Sequence, residues 1–241
     1  FMTKRTLNQN SKSIQKLIDI IEPDFIFTEK PLNRIKTINI SENVDDSQKL
    51  EKLEELKKQL NSIENCNLKI NSKNLTIGDG DINSPLMIVG EAPGYEEDKS
   101  GLTFQGEIGD LLKKMFLAIN INLESIYKTY SINFRPLDDR RPSPQEIKRY
   151  SVFLKEHISI IDPKIIILLG GTAMEALTGL NSKITDERGK WKEIILKNKS
   201  YPLLITYNPS YLLRYPEYKR QSWEDLKNIR EQIKKLKIKI K

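Results

Sequence analysis

The chain has 241 residues, 38% hydrophobic and 30% charged, which excludes a disordered chain and is long enough for an α/β domain with an appendage and a proper core. Its net charge of +7 suits a polyanionic partner and equally suits plain solubility, because much of the excess is local, notably in the tail Lys234–Lys241. One cysteine, Cys66, excludes an internal disulfide and a thiolate cluster for zinc or iron–sulfur. No apolar run is long enough to span a bilayer and no signal-peptide pattern is present, so the cytoplasm is the expected compartment.

Residues 1–45 mix polar stretches with one apolar helical pattern, Ile14–Ile21. Asp45–Leu60 is rich in lysine and glutamate, with Leu50, Leu53, Leu56 and Leu60 at helical spacing; it reads as an amphipathic helix packed on the main domain. Residues 1–62 are therefore expected to form a helical extension and residues 63–241 the main domain. From residue 66 onward, short apolar runs alternate with helical patterns. Leu86–Val89 is the first strand, followed by a helix over Glu107–Asn120, then a strand over Ile126–Ile132 and a helix over Pro144–Ile161. That last helix carries the only histidine, His157, expected as a surface or packing residue. Ile165–Leu169 is the third strand, Thr172–Leu177 a helix, Leu203–Thr206 the fourth strand and Gln221–Leu236 the closing helix. Continuous apolar strands alternating with helices imply a mainly parallel four-stranded sheet covered on both faces, a three-layer α/β/α sandwich. In such a sheet ligands lie beyond the carboxyl ends of the strands. Four loops belong to that rim: 90–106, Asn133–Pro144, Gly170–Gly171 and Tyr207–Arg214.

The first of these, GEAPGYEEDKSGLTFQG over residues 90–106, crowds four carboxylates, four glycines and one phenylalanine onto a strand exit. Gly90 and Gly94 permit a sharp turn and a close approach to a ligand, and Pro93 stiffens it. Glu91 leaves the strand end and points into the rim, while Glu96, Glu97 and Asp98 add negative charge. Phe104 either presents a ring to a flat ligand or fills the core. In the last loop, Leu212 and Leu213 sit beside Arg214, with Lys219 and Arg220 nearby. They read either as an apolar wedge between bases with a cation on phosphate, or as a buried leucine pair at a helix start. No GxGxxG or GxxxxGK[ST] phosphate loop occurs.

Taken in order, these motifs resemble the uracil-DNA glycosylase superfamily, and its family-4-like bacterial branch in particular. The resemblance rests on G90-E-A-P-G94 with Glu97, Asp98, Gly101, Phe104, Gly106, Gly109 and Leu111–Leu112. It continues through Arg135–Pro136 with Arg140 and Pro142, Asp162-Pro-Lys164, Leu169–Gly170 and Arg188–Gly189. It ends with N208-P-S-Y-L-L-R214, Lys219 and Trp223-Glu-Asp-Leu226, and so covers about residues 63–229.

The resemblance implies a DNA repair enzyme that flips uracil out of DNA and hydrolyses its N-glycosidic bond, acting as a monomer. Glu91 would position or activate the water that attacks C1′ and favour a sugar cation, and Asn208 would donate to the departing base. Gly90, Ala92, Phe104 and Tyr130 would contact the base, with Phe104 stacking on it. Glu97 and Asp98 would shape the loop, and Ser210, Leu212, Leu213, Arg214 and Lys219 would meet DNA. Two positions depart from the family pattern. Asn208 stands where the family commonly has histidine, and Tyr130 stands where it has an asparagine that reads the uracil edge. The four cysteines that hold a four-iron cluster in family-4 enzymes correspond here to Ile63, Cys66, Phe134 and Tyr150, so the cluster and any other metal are expected to be absent. A weak or inactive relative that grips DNA or a flipped base, and a glycosylase for a different damaged base, remain the alternative readings.

Overall fold

A computed structural model describes residues 46–240 of the chain; the Ile14–Ile21 pattern lies outside them. Five strands form one sheet: β1 Leu86–Gly90, β2 Tyr127–Tyr130, β3 Ile165–Leu169, β4 Trp191–Leu196 and β5 Lys199–Thr206. Their order is β2-β1-β3-β5-β4. The first four in that order run parallel, and β4 pairs antiparallel with β5. The expectation of four strands is thus corrected to five. The fifth, Trp191–Leu196, sits on the sheet edge with five of its six residues half-buried or exposed, so it lacks the continuous apolar run that marked its neighbours. It joins β5 through Lys197 and Asn198, both at positive φ (46° and 64°), as a tight hairpin turn of mirror-image type requires.

The parallel strands are buried on both faces, and alternate residues serve opposite layers. Leu86, Ile88, Ile165, Ile167 and Leu204 face one way. Against them pack Leu112 and Phe116 of helix α4 (Gly106–Leu117) and Leu226, Ile229 and Ile233 of helix α9 (Lys219–Lys235). Met87, Val89, Ile166, Leu168, Leu203 and Ile205 face the other way. There they meet Leu154 and Ile158 of α5 (Pro144–Ile161) and Ala173, Met174 and Leu177 of α6 (Gly171–Thr178). This is the α/β/α sandwich expected from the sequence. Helix α5 starts where the sequence placed it because Ser143 and Glu146 form a reciprocal capping box with Pro144 in the first turn. His157 on that helix is a packing residue: it is buried, and its Nε2 lies 2.9 Å from the Tyr127 hydroxyl.

Helix α1 (Asp46–Ser62) docks on the outside of α5. Leu56 and Leu60 enter a third cluster with Ile132, Phe134 and Tyr150. Its amino-terminal half is fastened by Lys49, whose buried ammonium donates to the Ile161 carbonyl (2.9 Å) and the Ile82 carbonyl (3.1 Å). Burial pulls the pKa of this lysine down from its ordinary value, and the neighbouring charge of Asp162 opposes that shift. Among the described residues no helix is long and apolar enough to cross a membrane.

Candidate active site

Strand β1 has β2 on one side and β3 on the other, so the chain reverses its direction of travel across the sheet at this point. The exits of β1 and β3 therefore flank the crevice in which open parallel sheets bind ligands. At the β1 exit the main chain stays joined to the continuation of β2. Ser131 N–H donates to the Gly90 carbonyl (2.9 Å), Ile132 N–H to the Glu91 carbonyl (3.1 Å), and the Ser131 hydroxyl to that same Glu91 oxygen (2.6 Å).

The half-buried Glu91 side chain instead reaches across the β3 exit. Its Oε1 accepts from the backbone N–H of Thr172 in the first turn of α6 (3.0 Å), and its Oε2 accepts from the Asn208 amide (3.0 Å). Gly170 makes this approach possible. A Cβ there would fall 2.4 Å from Glu91 Cδ, and the residue has φ +100°, so only glycine suits both the backbone and the space. Asn208 is itself fixed as the N-cap of the short helix α8 (Pro209–Arg214): its Oδ1 accepts from Ser210 N–H at 3.0 Å, which leaves the amide nitrogen turned toward Glu91. Glu91 and Asn208, predicted separately from two loops, thus form one hydrogen-bonded pair.

The rest of the 90–106 loop is held by its own carboxylates. Glu97, 2% exposed, accepts from Gly94 N–H (2.9 Å) and Gln105 N–H (2.8 Å), closing the loop over helix α3 (Tyr95–Ser100). Asp98 accepts from Lys73 N–H (2.8 Å) and Asn74 N–H (3.2 Å). Glu96 stays exposed. Ala92 turns away toward the third cluster and packs beside Ile132 and Phe134. Sequence reasoning missed Asp79, which accepts from both the N–H and the hydroxyl of Thr103 (2.6 and 2.7 Å) and pairs with Lys128 (2.6 Å), pinning the segment just before Phe104.

Phe104 and Tyr130 lie together over Gly90. Their ring centroids are 4.8 Å apart at an interplanar angle of 37°, and a Cβ on Gly90 would lie 2.6 Å from Tyr130 Cδ1 and 2.8 Å from Phe104 Cζ. The Tyr130 hydroxyl accepts from Phe104 N–H (2.9 Å). Burial, reinforced by the charge of Glu97, drives the Tyr130 phenol well above its ordinary pKa, so it stays neutral. Phe104 itself has a positive φ of 47° and is 5% exposed. A spacing of 4.8 Å leaves no slot for a base between the two rings, and Phe104 belongs to the core cluster on that face of the sheet.

Helix α8 separates the two leucines that the sequence left open between an apolar wedge and a buried pair. Leu212 is 1% exposed and lies with Leu111, Met115, Trp223 and Leu226, whereas Leu213 is 36% exposed. The expected role of Leu212 at a DNA surface is corrected: successive helical residues point about 100° apart, so only one of a consecutive pair can face outward. Arg214 and Lys219 are exposed and Ser210 is half-buried. Beneath this helix, Arg188 forms an ion pair with the buried Asp225 of α9 (Nε–Oδ2 3.0 Å), and Asp225 also accepts from the Thr206 hydroxyl at 2.6 Å. This lock between the β5 exit and α9 joins two stretches, Arg188–Gly189 and Trp223–Leu226, that the sequence offered only as separate motifs.

The profile of the Uracil DNA glycosylase superfamily matches residues 77–227. The chain belongs to the uracil-DNA glycosylase superfamily. It is 36% identical over 173 residues to the Type-4 uracil-DNA glycosylase of Thermotoga maritima, covering 70% of this chain and 88% of that protein. It is also 36% identical over 190 residues to the Type-4 enzyme of Sulfurisphaera tokodaii, covering 76% of this chain and 85% of the relative. A further match, 31% identical over 150 residues, is to a DNA polymerase of Bacillus phage SP01; it takes in 62% of this chain and 16% of that protein.

For this glycosylase-superfamily chain, the donor set decides whether a four-iron cluster fits. The four positions that the sequence resemblance matches to cluster cysteines do converge. Cys66 Sγ lies 3.3 Å from the Tyr150 hydroxyl, the Phe134 and Tyr150 rings meet edge to face at 6.4 Å, and Ile63 packs against the same cluster. One thiol, a phenol, a phenyl ring and an aliphatic chain cannot supply four thiolates. The space is filled by side chains that pack, with Cys66, Phe134 and Tyr150 all buried.

Proposed function

We propose that this chain is a cluster-free, monomeric DNA glycosylase that hydrolyses the N-glycosidic bond of uracil in DNA. The observation that carries the reading is the placement of Glu91: a carboxylate held by Thr172 N–H and the Asn208 amide, at the crevice between the β1 and β3 exits. Its similarity to proteins named Type-4 uracil-DNA glycosylases supports the same reading.

In this reading the uracil nucleotide leaves the duplex and stacks against Phe104. The C1′–N1 bond breaks with its electron pair going to the base, and the sugar gains positive charge facing the Glu91 carboxylate. A water oxygen bonds to C1′, with Glu91 orienting the water and drawing its proton. The second N–H of the Asn208 amide donates to the base oxygen on which negative charge collects. Leu213, Arg214 and Lys219 meet the DNA around the vacated position. The test is alkali-induced strand cleavage of a uracil-containing oligonucleotide by the purified protein. We expect cleavage, and a loss of about 10²–10⁴-fold in Glu91→Gln. No abasic product at high enzyme concentration overturns the reading.

One observation favours a second reading, a base-binding relative or a glycosylase for another lesion. Tyr130 fills the position from which an amide would read uracil, and its hydroxyl is occupied by Phe104 N–H. Uracil excision that emerges only in the double variant Tyr130→Asn, Asn208→His supports the binding relative. Release of hypoxanthine, xanthine or an alkylated base by the unaltered protein supports the other lesion.

A further inference from the structure

Four tyrosines converge beside the candidate site, on the segment that runs from the end of β5 through α8 into α9. Tyr207 and Tyr211 stack with centroids 5.3 Å apart and planes 19° apart. Tyr211 meets Tyr215 at 4.8 Å and Tyr218 at 5.3 Å, and Tyr218 closes back on Tyr207 at 5.4 Å. The inner end is rigid: Tyr207 is 1% exposed, donates its hydroxyl to Gln221 (2.9 Å) and carries the Arg188 guanidinium 5.6 Å above its ring. Exposure rises outward, through the half-buried Tyr211 and Tyr218 to Tyr215 at 45%.

A cluster that served packing alone would end in a covered ring. This one ends in an open ring on a segment that also carries exposed cations. Arg214, Lys219 and Arg220 are all exposed, and none of them is in an ion pair among the described residues. The single carboxylate within the segment is the exposed Glu217. By contrast, Arg135, Arg140, Arg141 and Arg188 each hold an acidic partner. Asn208, the Glu91 partner, caps the same helix that carries Tyr211. Aromatic faces next to unneutralised cations bind unpaired bases and their phosphates, because every base has a π-face and every linkage a negative charge. A duplex withholds those faces by stacking its own bases.

We propose that Tyr215, backed by Tyr211 and Tyr218, is a stacking platform for an unpaired base of single-stranded DNA near the flipped nucleotide, and that it biases the protein toward single-stranded substrates. The proposal rests on the DNA-glycosylase reading and adds a contact that reading does not need. It is tested with a uracil-free, fluorescein-labelled oligo-dT 15-mer and the same strand paired with oligo-dA, both measured by anisotropy at one salt concentration. Tyr215→Ala is expected to weaken single-strand binding about 5- to 100-fold while duplex binding changes less than twofold. Tyr215→Trp is expected to keep single-strand binding, and the urea midpoint of Tyr215→Ala to match the parent. Equal losses on both DNAs, no loss on either, or failure of Tyr215→Trp to retain binding overturns the platform. Uracil excision measured in parallel separates the two readings. Excision by the parent with Tyr215→Ala indifferent to strand type sinks the platform alone, whereas a parent that neither excises uracil nor binds either DNA sinks the glycosylase reading and the platform together.

Discussion

Gly170 governs where the Glu91 carboxylate can lie, although its own atoms do no chemistry. Alanine there would place a methyl carbon 2.4 Å from Glu91 Cδ on a backbone at φ +100°, so the carboxylate must leave its two donors. Displacements of about 1 Å in positioned groups cost on the order of 10²-fold in rate. Gly170→Ala should therefore lower kcat/KM for uracil excision by about that factor, and steady-state rates alongside a thermal melt check it; a folded variant with parental rates refutes the positioning role. At this scale the sequence was legible where a residue type is chemically unusual for its context. Glu91 at a strand exit stood out this way, whereas the loop-shaping part of Glu97 and Asp98 came from the family resemblance. It was silent on Thr172, which contributes only a backbone N–H, and on which way the Asn208 amide turns, because both depend on chain segments far apart in sequence.

Among the elements, α9 is bound to the sheet by a polar lock as well as by its apolar face. Asp225, 1% exposed, receives the Arg188 guanidinium and the Thr206 hydroxyl at once. Asp225→Ala would strand a largely buried guanidinium, and breaking a buried pair from one side costs about 3–5 kcal/mol. Chemical denaturation should show a loss of that size, with the α8 segment loosened as well. The strands legible beforehand are those buried on both faces, where unbroken runs such as Ile165–Leu169 admit one interpretation. Strand β4 escaped because its exposed Ile195 and the charged Lys192 and Glu193 look like a loop, and its pairing is dictated by the Lys197–Asn198 turn. The α8 leucines were ambiguous for a related reason: a one-turn helix carries too little periodicity to tell an inner face from an outer one.

Over the whole molecule, stability depends on pH through groups that take no part in the proposed chemistry. Burial lowers the His157 pKa from the usual 6.5 to about 3, so the folded ring stays neutral while an unfolded chain takes up a proton below 6.5. The unfolded state then binds more protons, and stability falls as pH drops from about 6.5 toward 3. Glu146 acts in the same direction lower down: Arg140, and then the Ser143 cap, hold its carboxyl near 2, so its contribution is present above the usual 4.5 and is lost as pH falls through 2. His157→Gln should flatten the urea midpoint between pH 6.5 and 4.5, removing a slope of about 1.4 kcal/mol per pH unit; an unchanged profile assigns the acid lability elsewhere. The wall where Ile63, Cys66, Phe134 and Tyr150 meet has a consequence of its own at this scale. On the cluster-free reading proposed above, this wall closes on carbon, one thiol and one phenol, so a metal chelator is expected to leave the thermal melt of the protein unchanged.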